Sequence, residues 1–118
     1  MSYKGIVRKT DNCSGHGCWP PRPSAEASTD VFVNGIGVVR YGDTMEIHCC
    51  PPDIDCHGGT HIGVRDVYAN GLSIQVTGDP IDCGSVCDEC SPDTLIGSWK
   101  KNVVYVCGKT GFFGGIFG

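Results

Sequence analysis

The chain has 118 residues and carries 13 acidic and 9 basic side chains, which give a formal net charge of −4 at pH 7. It has no lysine or arginine cluster beyond Lys100-Lys101, and this excludes an electrostatic footprint for nucleic acid or an anionic membrane. Glycine (18) and proline (7) are frequent, and the apolar residues come in short β-type runs. The composition therefore predicts one small, turn-rich, all-β domain.

The N-terminal segment, MSYKGIVRKTDN, is polar and charged and contains no apolar run that would target or anchor a chain. We therefore expect synthesis in the cytoplasm, where thiols are kept reduced. The nine cysteines are an odd number, and four histidines are interleaved with them. Together these features favour metal coordination over a disulfide framework.

The next segment, CSGHGCWPPRP at 13–23, places His16 between two glycines, with Cys13 and Cys18 outside them. Three prolines follow within a few residues, so the segment is neither a helix interior nor a central strand. The pattern predicts an irregular loop that forms part of a binding site.

A repeat follows this loop. Segment 28–43 matches segment 64–79, because each contains an Asp-Val run, an Asn-Gly pair and a closing Gly-Asp. An Asn-Gly pair between two β-type runs predicts a hairpin with a type I′ turn. A third, degraded copy at 91–97 lacks the Asn-Gly pair. Since one hairpin cannot bury its apolar face alone, we expect a small pseudo-threefold array of short hairpins.

One type of position before each copy of the repeat carries a possible metal ligand. His16-Gly17, His57-Gly58 and Cys83-Gly84 precede the three copies, and His48 adds a further imidazole. If the copies surround an axis, these side chains converge there as a closed tetrahedral set that suits structural Zn²⁺, with Fe²⁺ as the alternative. A domain with so small a core is then expected to depend on the metal for folding. The predicted ligands are His16, His48, His57 and Cys83.

The remaining histidine and cysteines give weaker signals. His61 has no counterpart in the other copies, so we expect a solvated surface histidine. Cys87 and Cys90, in CDEC, have the spacing of half a zinc knuckle. They could form a second metal site, be buried thiols, or form disulfides after export, and Cys107 within VVYVC is expected to be buried. The other cysteines that could join such a second site are Cys13, Cys18, Cys49, Cys50 and Cys56.

These motifs in combination resemble the PAAR-repeat proteins, in particular the stand-alone forms at the tip of contractile phage tail spikes. The resemblance covers about residues 10–97 and includes HCC, CHGG, GDPIDCGS and SPDTLIG. It implies a cone of short strands with a metal near its point, held by the four ligands named above. It also implies a flat base seated on a trimeric β-helical spike, one copy per trimer.

The sequence departs from the family in two places. The tetrapeptide that names the family is GVVR at 37–40 and SIQV at 73–76, so only Arg40 of it remains. The chain also continues beyond the cone, expected over 1–97, into a C-terminal extension over 98–118. We expect an added hairpin there, NVVYVC to TGFFGGIF, that either covers apolar surface or anchors the chain to the spike or to cargo. The predicted docking side chains are Phe112, Phe113, Ile116 and Phe117.

Two classes of function follow from these patterns. The first is a structural, non-enzymatic piercing tip on a contractile injection machine, in transient contact with the target cell envelope. It would be part of a virion, at the tail baseplate, or of a type VI secretion apparatus. The second is a metal-dependent hydrolase or redox protein that uses the His/Cys cluster. Four protein ligands leave no open position for a catalytic water, and no motif places a separate catalytic constellation, so the tip is favoured.

Overall fold

The computed structural model describes residues 3–51 and 55–97, together with the backbone of 103–107 and 111–117. These residues form strands, bridges and turns without a helix, which confirms the all-β prediction with short antiparallel hairpins. In the part of the chain so described, no helix is long and apolar enough to cross a membrane.

Most strands are only two or three residues long, because glycine, proline and turn residues interrupt the apolar runs. The strands of the described residues are β1 (Lys4–Gly5), β2 (Phe32–Val33), β3 (Ile36–Gly37), β4 (His48–Cys50), β5 (Asp55–His57), β6 (Tyr68–Ala69), β7 (Leu72–Ser73), β8 (Leu95–Ile96), β9 (Val103–Cys107) and β10 (Gly111–Phe117).

Both Asn-Gly pairs form the turns of hairpins, as predicted. The φ angles are 55° and 76° at Asn34 and Gly35, and 56° and 77° at Asn70 and Gly71. Positive φ at both central residues is the type I′ geometry, which matches the twist of the flanking strands. The first turn joins β2 to β3 and the second joins β6 to β7, each pair being antiparallel.

Within the described residues, the third copy of the repeat has no return strand of its own. Its strand β8 pairs instead with β1 at the start of the chain, with Lys4 opposite Ile96 and Gly5 opposite Leu95. Strand β1 therefore takes the place of the return strand that an Asn-Gly turn connects in the other two copies. Strand β1 also pairs in parallel with β9, so the four-stranded sheet has the order β10-β9-β1-β8.

The C-terminal segment forms an antiparallel hairpin of β9 and β10, with an irregularity between Phe113 and Ile116. Residues 98–102 lie outside the described residues. The side chains named above for docking (Phe112, Phe113, Ile116 and Phe117) and the side chain of Cys107 also lie outside the description. Their predicted roles stay predictions.

A closed ring of backbone hydrogen bonds lies in the core. Val7 N donates to Gln75 O (2.9 Å), Gln75 N donates to Val39 O (3.0 Å), and Val39 N donates to Val7 O (3.0 Å). All three residues are buried. We call segments 6–8, 38–40 and 74–76 the central ring, since each also forms an antiparallel bridge with the next.

Gln75 is a polar residue at a position where the other two segments have valine, and its amide is paired with the backbone of Gly63 and with Ser73 O (3.2 Å). Gln75 Nε2 donates to Gly63 O (2.8 Å), and Gln75 Oε1 accepts from Gly63 N (2.9 Å). A Cβ on Gly63 would lie 2.7 Å from that Oε1 and 2.5 Å from the Asp79 carboxyl group. Only glycine therefore fits, and the buried amide stays paired.

Each ring segment ends in a turn closed by an aspartate. Arg8 and Arg40 each hold the carboxylate three residues later, that of Asp11 or Asp43, through Nε and Nη2. The third turn has Val76 in the arginine position, and Arg65 pairs with Asp79 instead. Arg40 also donates from Nη1 to Asn70 Oδ1 (2.9 Å) and so links the first two copies.

Candidate metal centre

Three loops of unequal length leave these aspartate turns and carry the predicted ligands. An antiparallel bridge closes each one: Asn12 with Pro23, Thr44 with Thr60, and Pro80 with Val86. We call the segments 12–23, 44–60 and 80–86 the ligand loops. The first carries His16, the second His48 and His57, and the third Cys83.

In the first ligand loop, a tight turn presents His16. His16 N donates to Trp19 O (3.0 Å) and Trp19 N donates to His16 O (2.8 Å). Gly15 and Gly17 take positive φ angles, and a Cβ on Gly15 would lie 2.6 Å from Trp19 O. The glycines on either side of His16 are therefore required by the turn.

The second ligand loop contributes two histidines from one hairpin. Strands β4 and β5 pair antiparallel, so that His48 lies directly opposite His57. Directly opposite residues point to the same face of a hairpin, and their side chains meet. A single short hairpin thus supplies half of the predicted ligand set.

The third ligand loop is short and turns at Cys83-Gly84. Gly84 has a φ of 104° and donates its N–H to Ile81 O (3.0 Å), while Ile81 N donates to Ser85 O (2.9 Å). Gly59 allows the second ligand loop to pass close by, because a Cβ there would lie 2.9 Å from Cys83 Sγ.

The four predicted ligands meet in one place. His57 Nε2 lies 2.9 Å from His16 Nε2 and 2.8 Å from His48 Nε2. One ligand atom from each of the four residues lies within 4.8 Å of the others, a spacing that could hold a metal ion. We call His16, His48, His57 and Cys83 the histidine cluster. His48 is buried and the others are half-buried.

The hydrogen bonds around His48 show which of its nitrogens faces the centre. His48 Nδ1 lies 2.8 Å from Pro20 O, and a carbonyl can only accept, so Nδ1 carries the proton. In the neutral ring Nε2 then has a lone pair directed at the other imidazoles. A backbone carbonyl that fixes the tautomer in this way is the usual partner of a metal-binding histidine.

The electrostatics at His16 favour the neutral imidazole, which is the form that binds metal. Burial, followed by the nearby His48 and His57, holds the pKa of His16 below its usual value. The His16 ring also stacks on Trp19, with ring centroids 5.0 Å apart. Converging lone pairs repel one another unless a proton or a cation lies between them, so the donors present fit a divalent metal ion.

Sequence reasoning missed two features of this site. Trp19 packs on His16 and donates from Nε1 to Asp55 O (2.9 Å), which joins the first ligand loop to the hairpin of the second. The available signal was its position three residues after His16, within the proline-rich segment. The carbonyl of Pro20 gives no side-chain signal at all, because any residue could provide it.

Several cysteines outside the histidine cluster form disulfides, which the sequence left open as an alternative to a second metal site. Disulfides join Cys18 to Cys50 and Cys49 to Cys56, and Cys90 is also disulfide-bonded. Both complete pairs lie in the first two ligand loops, beside the histidines. The odd number of cysteines and the expected reducing compartment favoured metal over disulfides. Neither feature indicates which thiols the fold brings close together.

The CDEC pair does not form half of a second metal site within the described residues. Cys90 is in a disulfide, and Cys87 is a free, buried thiol that belongs to no metal-sized group there. Burial, with a smaller contribution from Asp79, raises the pKa of the Cys87 thiol, which therefore stays protonated. Cys13 is likewise a free, buried thiol.

The prediction that His61 is a surface residue is wrong, because its side chain is only 2% exposed. Its Nδ1 lies 3.4 Å from Cys87 Sγ and its Nε2 lies 3.4 Å from Ser24 Oγ. Burial lowers the pKa of His61 to about 4, so the ring is neutral near pH 7. Ser24, His61 and Cys87 each follow the residue that closes a ligand loop, so they meet in the interior.

No protein-family model matches this chain, and no curated protein sequence matches it. The site must therefore be interpreted from its own chemistry. Three imidazole nitrogens and one cysteine sulfur can supply a complete tetrahedral ligand set, which is typical of a structural metal site. Such a centre would join the three ligand loops to one another.

Proposed function

We propose that the chain is a PAAR-like spike tip, which caps the trimeric β-helical spike of a contractile injection machine and pierces the target envelope. In this proposal the three copies form a cone with pseudo-threefold symmetry, and the histidine cluster lies near its point. The observation that carries the proposal is the convergence of the histidine cluster from three loops that each follow an aspartate turn. This arrangement is what the resemblance to the PAAR-repeat proteins implies.

The proposed metal is Zn²⁺, with Fe²⁺ as the alternative, because imidazole and thiolate serve both. The ion would be held by the three Nε2 atoms and Cys83 Sγ, and it would fix the three ligand loops to one another. A complete set of four protein ligands supports a structural rather than a catalytic role. A metal-dependent hydrolase or redox protein would need an open coordination position.

Elemental analysis and an activity screen test the metal-binding part of the proposal. The purified chain should hold one zinc or iron ion and turn over no ester, phosphoester or peptide substrate. His57→Ala should abolish metal retention, while the matched control His61→Ala should keep the ion, since His61 lies outside the cluster. Turnover that depends on His57 would instead establish the enzyme. Retention of the ion by His57→Ala would refute the ligand set.

Exposed apolar side chains at matching positions of two hairpins support the docking part. Phe32 and Tyr68 are 57% and 62% exposed, and each is the first residue of its hairpin. Repeated apolar residues on separate hairpins suit a partner with threefold symmetry, and large exposed apolar residues commonly mark interaction sites. We propose that these hairpins, together with the C-terminal segment that carries Phe112 and Phe113, contact the spike.

Co-purification with a trimeric β-helical spike fragment encoded near this gene tests the docking. Native mass spectrometry should find one copy of the chain per trimer. Phe32→Ser combined with Tyr68→Ser should weaken the complex, and so should deletion of 111–118. Val64→Ser is a matched control, because Val64 is 75% exposed but lies outside the hairpins. A complex with three copies per trimer would contradict the single-copy cap.

A further inference from the structure

The two disulfides of the ligand loops lie on opposite faces of the β4–β5 hairpin. Cys49 and Cys50 are neighbours on β4, and neighbouring residues on a strand point to opposite faces. Cys50 is two residues from His48, so it shares the face that carries the histidines. Cys49 lies on the other face, opposite its partner Cys56 on β5. The two disulfides therefore constrain different things.

The Cys49–Cys56 disulfide joins the two strands of the hairpin. Its Cα atoms are 4.1 Å apart, and the residues are a cross-strand pair next to the pair of His48 and His57. The backbone pairing of β4 with β5 already sets this register. This disulfide therefore reinforces an alignment that the hairpin has without it.

The Cys18–Cys50 disulfide joins the turn that carries His16 to the histidine face of the hairpin. Cys18 lies between His16 and Trp19 in the chain, and Cys50 lies directly opposite Asp55. Trp19 Nε1 donates to Asp55 O, so both links meet the hairpin at the same cross-strand pair. The sequence separation of 32 residues between the two cysteines shows that this contact is not local.

His16 depends on this attachment more than the other two imidazoles do. His48 and His57 face each other across one hairpin, whereas His16 reaches them from another ligand loop. Among the described residues, the turn is otherwise joined to the hairpin by packing of the Trp19 ring on His57 (centroids 4.9 Å apart) and by two hydrogen bonds, the Trp19 bond and that between His48 Nδ1 and Pro20 O (2.8 Å). Cys18 itself is exposed to solvent.

We propose that Cys18 and Cys50 are positioning residues of the metal centre, whose disulfide holds His16 against His48 and His57 before metal binds. The Cys49–Cys56 disulfide does not have this role. The inference rests on the metal-binding part of the proposed function. It makes the metal affinity of the chain depend on one disulfide and not on the other.

Metal affinity measured with Co²⁺ as the probe tests the proposal. The oxidised chain is compared with the paired variants Cys18→Ala/Cys50→Ala and Cys49→Ala/Cys56→Ala by chelator competition and by the visible absorption of the bound ion. The first pair should bind Co²⁺ about 10- to 100-fold more weakly, the usual cost of losing a group that orients a ligand. Its spectrum should shift towards that of His16→Ala. The second pair should match the wild type in both readouts.

A purely structural role would lower the melting temperature of both pairs without separating their Co²⁺ affinities. Equal affinity losses in the two pairs, or no loss in the first, would overturn the proposal. If the wild type itself fails to bind Co²⁺ and Zn²⁺, the metal-binding function has failed instead. If the alanine pair does not fold, the more conservative Cys18→Ser/Cys50→Ser pair is measured in the same way.

A double-mutant cycle shows whether the disulfide acts through His16. In the His16→Ala background, the ligand that the disulfide positions is already absent, so removing Cys18 and Cys50 should weaken Co²⁺ binding no further. If the disulfide and His16 contributed independently to Co²⁺ binding, their losses of binding free energy would add. An additional loss as large as that in the wild-type background would overturn the positioning role.

Discussion

The central ring and the histidine cluster each join three segments of the chain, but they do so through different interactions. The ring uses backbone hydrogen bonds between buried residues, with each segment ending in an aspartate turn. The cluster uses three loops of unequal length, the first two joined by the Cys18–Cys50 disulfide and all three by a set of ligands that could hold a metal ion. Where the copies are alike, backbone hydrogen bonds are enough to join the segments. Where the copies differ, a disulfide bond and metal ligands join them instead.

This contrast makes the ring the part on which the whole fold depends. Val39→Asp should abolish folding, because it places a carboxylate without a partner at a residue that is 0% exposed. Such a burial costs about 4 kcal/mol or more, a large part of the stability of a small domain. Urea unfolding followed by circular dichroism measures the effect. The control Val31→Asp, at a residue that is 38% exposed, should stay folded. A folded Val39→Asp protein that had lost only its metal would reverse the comparison.

Metal removal should have a large effect whose outcome depends on the disulfides. Chelation of the oxidised chain should lower its unfolding free energy by about 4 kcal/mol, as for a ligand present at roughly a thousand times its Kd. The chain should nevertheless stay folded, because the Cys18–Cys50 disulfide still joins the first two ligand loops. Chelation after reduction should unfold it. Thermal melts of the oxidised and the reduced chain, each with and without metal, separate these cases, and elemental analysis confirms the metal content of each sample. Unfolding of the oxidised, metal-free chain would show that the metal alone maintains the fold, as the sequence predicts.

Acid should destabilise the interior between the two regions through His61. In the unfolded chain His61 titrates near 6.5, whereas burial lowers its pKa in the fold to about 4. Between these pH values the unfolded chain binds a proton that the folded chain does not, so stability falls as the pH drops from 6.5 to 4. The full loss is about 3 kcal/mol.

The metal-free wild type is compared with metal-free His61→Gln. Without metal, the pH dependence of metal binding by the cluster histidines does not contribute to the difference in stability between the two proteins. The substitution should remove most of the acid destabilisation measured by urea unfolding at each pH. Parallel stability curves for the two proteins would show that His61 is not responsible.

The smallest effect is expected from Cys49→Ala/Cys56→Ala. This disulfide closes a sequence separation of only 7 residues, so its removal should cost about 2 kcal/mol through the entropy of the unfolded chain. The separation of 32 residues for Cys18–Cys50 predicts a larger cost of about 4 kcal/mol on the same basis. Urea unfolding of the two paired variants ranks them. The reverse order would show that native-state strain outweighs chain entropy.

The sequence was sufficient to predict the features that depend on local chemistry. Asn34-Gly35 and Asn70-Gly71 predicted two hairpins correctly, because type I′ geometry is favoured by those residues alone. The four members of the histidine cluster were found because each lies at a comparable place before or within a repeat. Position relative to a repeat is visible in a sequence even where the loops differ in length.

The features that were missed depend on contacts between distant segments. Burial of His61 follows from its meeting with Ser24 and Cys87, three residues of unlike type at corresponding positions, so self-comparison cannot align them. The Cys18–Cys50 disulfide depends on how the first ligand loop lies on the β4–β5 hairpin. No repeat signal marks that hairpin, and nine cysteines allow many pairings.

The pairing of β1 with β8 sets the order in which the chain can complete its fold during synthesis. Lys4 and Gly5 leave the ribosome long before their partners Ile96 and Leu95 are made. Val7 likewise waits for Gln75 before the central ring can close. Strand β1 therefore lacks its partner β8 until residues 95 and 96 are made, and the first two hairpins can form earlier. A chain stalled before residue 95 has every predicted metal ligand but lacks the pairing of β1 with β8.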